Sequence, residues 1–532
     1  MTATPLQNAP PSLSSRWRIF VLLCCLALTF FSASKINGSS LKGDAMQNLT
    51  IGYNLYHGAG FSLNGPQGLE PSNFREPVPP LLIATYLKLF GGAREPMSLE
   101  SMHYGVNTRF IKLSNLFWVF LGLLGSWSLF YQVTRQPALA TLTLLLSFPF
   151  FFGHPLVVNS FYTELQTASL MLCCSALLIH LLQAPRAMRL FGGGVLLGLC
   201  ALTKSIFLPI ALLMVILLSL LHRPDPMAPS AWRHGRKAFA AVLLLGLAST
   251  VGPWMLRNQI VTSSSEITAG RTGYILMKRA MLDQITDDEF KAGFYLFGPR
   301  LYRQLVAGTT LDVQADEAVK RGGRLQRLNG GMSEFIATDT DAVNAGKPEQ
   351  AISFYRKAAA VHTQLTHIFE QAGHAHPKLA ADRVMQKVAL SQIAQHPLAH
   401  LKVSLLMFWR GFWCFSPSSD IPGIEKSSLR GAVVVILNAA AGLALLGVFG
   451  WGLLRRRPEL ILMTAMPVLM MMLYTLLTQN LPRFFSPAVP AMLMSLIWLC
   501  AAPLRNAQWS SRAVRAQLPT TYNSAPKQGN GP

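Results

Sequence analysis

The chain has 532 residues, of which 51% are hydrophobic and only 13% charged. Soluble domains carry about 25% charged residues, so a soluble globular class is excluded, and apolar runs recurring from residue 19 to residue 503 mark a polytopic membrane protein. The formal charge of +22 does not point to nucleic acid, because many Lys and Arg lie in short loops beside apolar spans, the pattern that marks cytoplasmic loops.

Arg16 and Arg18 precede the first span, roughly 17–34, and place the N-terminus in the cytoplasm. Phe31-Ser32-Ala33-Ser34 has the small residues of a cleavage site, but the chain continues through many spans, so an uncleaved first helix is the better reading. The loop 35–109 then lies outside. Within it a helix starts at Ala45, with Asp44 at the N-cap and Gln47 completing a capping-box pattern; Gly58 and Gly60 end it. Met46, Leu49, Tyr53 and Tyr56 recur at helical spacing, which gives an amphipathic helix lying on the membrane surface.

Span two, about 110–131, returns to Arg135, and span three, about 137–153, goes out to His154 and Pro155. Glu164 opens span four, which ends at Arg186 and Arg189; span five runs from Gly192 to Lys204, and span six, about 206–221, returns to His222 and Arg223. Span seven, about 238–255, exits at Pro253 and Trp254. Span eight, about 431–453, returns to Arg455, Arg456 and Arg457; span nine, about 459–477, goes out to Arg483; span ten, about 486–503, returns to a basic tail with Arg505, Arg512 and Arg515. Each cytoplasmic turn carries Arg or Lys, which supports an all-α polytopic membrane protein of about ten transmembrane helices with both termini cytoplasmic. Three units follow: an N-terminal transmembrane module, 1–262, that carries the loop 35–109; an external segment, 263–428; and C-terminal helices with the basic tail, 429–532.

The external segment reads as helical. Gly346 to Ala358 resembles half of a tetratricopeptide repeat, with no second copy, and is expected as an isolated helix pair. Ala389 to Phe412 has apolar residues at helical spacing and ends in Phe408, Trp409, Phe412 and Trp413, as a helix lying along the membrane would. Six Cys fall in apolar spans and Cys414 alone lies in the polar segment, so no disulfide framework is implied.

Charges near a membrane are costly unless they have a task. Asp44, Arg75, Glu164, Lys204, Arg257 and Arg483 come from distant parts of the sequence, yet this topology puts them in one layer at the external ends of the spans. Two carboxylates and four cations suit a ligand with a phosphate and an acceptor hydroxyl: guanidinium groups bind phosphate through paired donors, and a carboxylate serves as general base. Bland readings stand beside this one. Asp44 is also a good N-cap, Glu164 is a first-turn acid favoured by the helix dipole, and Lys204 and Arg483 sit where long cations reach toward headgroups.

Other motifs carry less. Asp339-Thr340-Asp341 has the Asp-x-Asp form of many nucleotide-sugar transferases but lies in a polar linker outside the membrane. His374 and His376, with His362 and His367 nearby, lack a carboxylate or Cys at fitting spacing for a metal. No phosphate-loop or dinucleotide pattern is present, so a cytosolic nucleotide donor has no support. No cofactor is specified, and a divalent metal stays open.

Gly43-Asp44-Ala45, Tyr53 to Ser62 and Arg75-Glu76-Pro77-Val78-Pro79-Pro80-Leu81 resemble the first external loop of the membrane-embedded C-superfamily glycosyltransferases (GT-C). Within it the chain is most similar to the protein mannosyltransferase-like group (glycosyltransferase family 39-like), which includes the lipid A aminoarabinose transferase and the Rgt-type lipopolysaccharide sugar transferases. Phe161 to Leu165, Gly198 to Lys204, Pro253 to Asn258 and Leu481 to Pro487 agree in order, as does His396-Pro397-Leu398 leading to Trp409. Many relatives follow the aspartate with Glu; here Ala45 follows. The resemblance implies a hexosyl- or pentosyltransferase of the bacterial inner membrane. It would take a sugar from a polyprenyl-phosphate donor and pass it, with inversion, to a glycan, lipid or protein acceptor on the periplasmic face. It places the catalytic base at Asp44 and leaves Arg75, Glu164, Lys204, Arg257 and Arg483 as substrate-binding candidates. The rivals are a transporter or flippase for lipid-linked sugars and a non-catalytic envelope-assembly protein. Transporters place ionisable groups at the midplane and show repeat symmetry, whereas these charges sit at span ends.

Overall fold

The structure is a computed structural model, and residues 14–63, 70–93, 97–222, 235–329, 334–415 and 429–502 are described. The tail with Arg505, Arg512 and Arg515, and Arg223, expected to be cytoplasmic, lie outside the described residues. Among the described residues the regular structure is entirely helical. The N-terminal part holds α1 (Ser15–Ala33), α2 (Asp44–Tyr56), α3 (Val78–Phe90), α4 (Leu99–Tyr104), α5 (Thr108–Lys112), α6 (Asn115–Thr134), α7 (Pro137–Ser147), α8 (Pro155–Val158), α9 (Glu164–Gln183), α10 (Ala187–Thr203), α11 (Phe207–Leu221) and α12 (Arg236–Thr262). The polar segment holds α13 (Thr272–Met281), α14 (Asp287–Phe297), α15 (Arg300–Val306), α16 (Ala315–Val319), α17 (Ile336–Ala345), α18 (Phe354–Gln371), α19 (Pro377–Gln395) and α20 (Pro397–Phe412). The C-terminal part holds α21 (Leu429–Leu454), α22 (Pro458–Leu477), α23 (Pro482–Phe485) and α24 (Val489–Cys500).

Seven helical stretches among the described residues are long and apolar enough to cross a membrane: Ser15–Ala33, Thr108–Thr134, Glu164–Gln183, Arg236–Thr262, Leu429–Leu454, Pro458–Leu477 and Pro482–Cys500. Shorter apolar helices occupy Pro137–Phe152, Ala187–Thr203 and Phe207–Leu221, so each expected span falls on a helix, three of them on short ones. A further apolar helix, Val78–Phe90, was not expected. Its first turn is Val78-Pro79-Pro80, where proline is pre-organised for a helix's first positions.

The membrane helices pack through small residues where no water-driven force holds helix to helix. A Cβ on Gly194 of α10 would lie 2.1 Å from the Leu243 carbonyl of α12, and one on Gly246 of α12 would lie 2.2 Å from the Phe191 carbonyl. Any larger residue at either position would push the two backbones apart.

The outer layer has two cores of its own. Leu41, Ala45, Leu49, Ile83, Leu87, Met97, Met102, Phe110, Ile111 and Phe161 cluster, so α2 is gripped by α3, α4 and α5. Leu49 and Ile51 are both fully buried while Met46 is exposed. α2 therefore does not float on one apolar face as its spacing suggests: Leu49, clustered with Ile83 and Leu87 of α3, and Ile51 leave the helix on opposite sides and both are buried. Leu49→Ala would cost roughly 2–5 kcal/mol. The second core joins α13, α14, α18, α19 and α20. Here α18 packs into a wider bundle, so the repeat-like pair α17–α18 is not isolated. The expected run Ala389–Phe412 is broken, with α19 ending at Gln395 and α20 starting at Pro397, because proline removes the donor a continuous helix needs.

Two clasps hold this outer bundle in place. Asp382 of α19 accepts from the Gly273 and Tyr274 amides at 3.1 and 2.8 Å, which caps α13 from outside its own chain segment. Arg279 of α13, fully buried, donates to the His400 carbonyl, Ser404 Oγ and the Thr475 carbonyl of α22, and pairs with Asp283 at 2.5 Å. α13 is thereby fixed against the end of α22, and its first residues are held over α2.

Candidate active site

Gly43 turns the chain into α2 with φ of 53°, a conformation that glycine adopts without cost. Asp44 is the first helical residue rather than the N-cap, and no side chain caps this helix. The capping-box expectation is corrected: the Asp44 carboxylate faces arginines instead of its own helix amides. Its negative charge still meets the positive end of α2.

Three guanidinium groups gather on this half-exposed carboxylate. Arg75 Nη2 lies 2.5 Å from Asp44 Oδ1, with Arg75 only 3% exposed. Arg483 donates from Nη2 to Oδ2 at 3.4 Å. Arg271 Nη2 stands 3.9 Å from Oδ1. Aromatic faces aim the cations: Arg483 lies over Tyr162 at 4.5 Å and Phe484 at 5.3 Å, and Arg271 over Phe74 at 5.0 Å. Burial alone would raise the Asp44 pKa, but Arg75, Arg271 and Arg483 outweigh it and hold the carboxyl below its ordinary value. Arg75 Nε and Arg483 Nε are buried and donate no hydrogen bond among the described residues. One carboxylate among three arginines leaves an excess of positive charge with free donors, which is the electrostatic form of an anion site.

A second ion pair adjoins the first. Lys204 Nζ lies 3.3 Å from Glu164 Oε1, both nearly buried, with the ammonium over Tyr474 at 5.4 Å and Phe484 at 5.5 Å. Glu164 is close enough for its charge to act on Arg483. Glu76 ties the first loop to this pair: its Oε1 accepts from the Ser205 amide and hydroxyl, both at 3.1 Å.

Of the six residues singled out from sequence, the structure joins Asp44, Arg75, Glu164, Lys204 and Arg483. Arg257 stands behind them. Its Nη1 donates to the Ser72 carbonyl at 2.7 Å and to Asn258 at 3.1 Å, and the guanidinium packs on Phe61 and Trp254. It supports the strand of loop that delivers Arg75.

Sequence reasoning missed Arg271, Glu76 and Lys278. Glu76 was visible, next to Arg75 in the quoted motif. Arg271 and Lys278 lie in a long segment with no motif, and only the docking of α13 brings Arg271 to Asp44. Asp339 is accounted for otherwise: buried, it accepts from the Ile352 and Ser353 amides and the Ser353 hydroxyl at 2.6, 3.2 and 2.6 Å, and so builds the start of α18. Among the described residues no three His, Cys, Asp or Glu side chains form a metal-holding group. Cys414 is buried against Met492, its Sγ 3.7 Å from the thioether.

No protein-family model matches the chain, and no curated protein matches it. Solved structures are similar to it. The archaeal oligosaccharyltransferase AglB from Archaeoglobus fulgidus, in complex with an inhibitory peptide and a dolichol-phosphate, is 12% identical with a TM-score of 0.44 over 96% of this chain and 53% of its own. ArnT from Cupriavidus metallidurans bound to undecaprenyl phosphate is 13% identical with a TM-score of 0.34, over 96% and 82%. The arabinosyltransferase EmbB from Mycobacterium smegmatis is 13% identical with a TM-score of 0.34, over 94% and 43%. The chain spans about half the length of the oligosaccharyltransferase.

Proposed function

We propose that the chain is an integral-membrane glycosyltransferase of the GT-C kind, which moves a sugar from a polyprenyl-phosphate donor to a hydroxyl of an envelope acceptor. The carrying observation is the half-exposed Asp44 carboxylate encircled by Arg75, Arg271 and Arg483 at the ends of membrane helices. AglB and ArnT were solved with dolichol-phosphate and undecaprenyl phosphate, lipids of the class proposed here.

In this reading the donor phosphate takes the free donors of Arg75 and Arg483, and the lipid chain lies along the apolar helices. Asp44, ionised because the arginines favour its charge, accepts the proton of the acceptor hydroxyl. The acceptor oxygen bonds to the anomeric carbon as the bond from that carbon to the phosphate oxygen breaks. A single displacement of this kind inverts the carbon. Polyprenyl phosphate leaves with its added negative charge beside the guanidinium groups, which stabilise it as it develops. Donor binding also draws the arginines' field away from Asp44, which makes the carboxylate a stronger base once substrate is present. Glu164 and Lys204 brace Arg483 from the membrane side, and Glu76 fixes the loop.

The test is release of polyprenyl phosphate from a polyprenyl-phosphate sugar by protein in nanodiscs. Asp44→Asn is expected to slow turnover about 10²–10⁴-fold, the range for a general base. Turnover at the wild-type rate would exclude Asp44 as the base.

A further inference from the structure

α13 carries a second cation that the reaction above does not use. Lys278 is 7% exposed, its ammonium 3.6 Å from the centre of the Tyr274 ring and 3.9 Å from that of Tyr355. Arg356 of α18 shares the Tyr355 ring, at 5.7 Å, and its Nε is buried without a hydrogen-bond partner among the described residues. Arg271, seven residues before Lys278, stands at the other end of the row beside Asp44. Cations from two helices thus converge on one aromatic-walled spot, and no salt bridge to a carboxylate is recorded for Lys278 or Arg356 among the described residues. A desolvated ammonium held against like charge is costly, and a ligand with more than one negative charge would relieve that cost. A phosphate monoester carries about −1.5 to −2 at neutral pH, where a carboxylate carries one.

We propose that Lys278 and Arg356 form a second anion site that holds a phosphate group carried by the acceptor. Seven helical residues separate it from the Asp44 cluster by about 10 Å along α13, which sets the distance between that phosphate and the hydroxyl to be glycosylated. This rests on the transferase reading in assigning the ligand to the acceptor; the site itself does not. The groups facing Lys278 are Arg271 and Tyr274 on its own helix, Tyr355, Arg356 and His362 on α18, and Asp44 on α2, while Asp382 of α19 is taken up by the α13 amides. Burial, then Arg271 and Arg356, push the Lys278 pKa down to about 7, with Asp44 opposing. A bound phosphate would raise it and keep the ammonium charged.

The probe is inorganic phosphate, titrated by calorimetry into full-length protein in phosphatidylcholine nanodiscs already loaded with polyprenyl phosphate. Wild type is expected to bind phosphate with the lipid in place. Lys278→Met, which keeps the side-chain stem between the rings, and Arg356→Gln are each expected to weaken it about tenfold or more, and Lys278→Arg to retain it. No phosphate binding to the loaded wild type, or equal binding in all variants, overturns the site. Failure of polyprenyl phosphate to bind at all would instead count against the donor reading, with Lys278-dependent phosphate binding still measurable on the unloaded protein. In nanodiscs containing phosphatidylglycerol, unchanged phosphate affinity supports an acceptor-borne group, and competition overturns that assignment in favour of a lipid headgroup.

Discussion

Arg483 Nη2 reaches Asp44 Oδ2 at 3.4 Å across 439 positions of sequence. The contact closes the last membrane stretch onto the loop after α1, and Tyr162 beneath the guanidinium adds a third part of the chain to the same junction.

Arg483 and Arg257 should therefore behave differently. Arg483→Ala removes a cation from the anion site and is expected to weaken polyprenyl phosphate binding about 10–150-fold, the worth of a charge-assisted hydrogen bond. Arg257→Ala removes a bond to the Ser72 carbonyl and packing on Phe61 and Trp254; its main effect is expected on thermal stability. Binding and melting curves of both variants in detergent would separate the two roles, and an equal loss of affinity would return Arg257 to the phosphate.

The pH dependence follows from Asp44. Its folded pKa is lowered, because the arginines outweigh the effect of burial. A lowered carboxylate adds stability above its unfolded pKa, about 3.9, and loses it as pH falls through the folded value. The acidic limb of turnover by the free enzyme is accordingly expected below about pH 4, and a limb near 6 would show that the arginines do not govern this group.

Glu164 and Lys204 are nearly buried partners 3.3 Å apart. Glu164→Gln strands the ammonium and is expected to destabilise the protein by about 3–5 kcal/mol. Adding Lys204→Met should recover much of that loss. Melting temperatures of the two singles and the double variant form the cycle, and additive losses would mean that the pair does not interact.

Asp339 gives the opposite pattern. Asp339→Ala leaves two amides and a hydroxyl of α18's start without their acceptor, at an expected cost of about 1–3 kcal/mol. Turnover per folded molecule should not change, and a specific loss of activity would revive the Asp-x-Asp motif.

The spans were legible because hydropathy and the placement of Arg and Lys are local signals, and the same topology put Asp44, Arg75, Glu164, Lys204 and Arg483 in one layer, where the structure brings them together. α3 was not expected because Pro77, Pro79 and Pro80 stand at its start, and its helical character rests on Ile83 and Leu87 packing on α2. Asp44 looked like a cap because sequence places it beside its own helix and cannot display three arginines arriving from elsewhere. Arg271 and Lys278 were invisible because their position depends on the Asp382 and Arg279 clasps, which are contacts across more than a hundred residues.

Intact-mass analysis of envelope glycolipids and glycoproteins tests the central claim most directly. It compares cells with wild-type protein, cells with Asp44→Asn at the same membrane level, and cells with none. The expected result is a species heavier by one sugar in wild-type cells that is missing from both others. The same species persisting with Asp44→Asn, or in the absence of the protein, would contradict sugar transfer by Asp44.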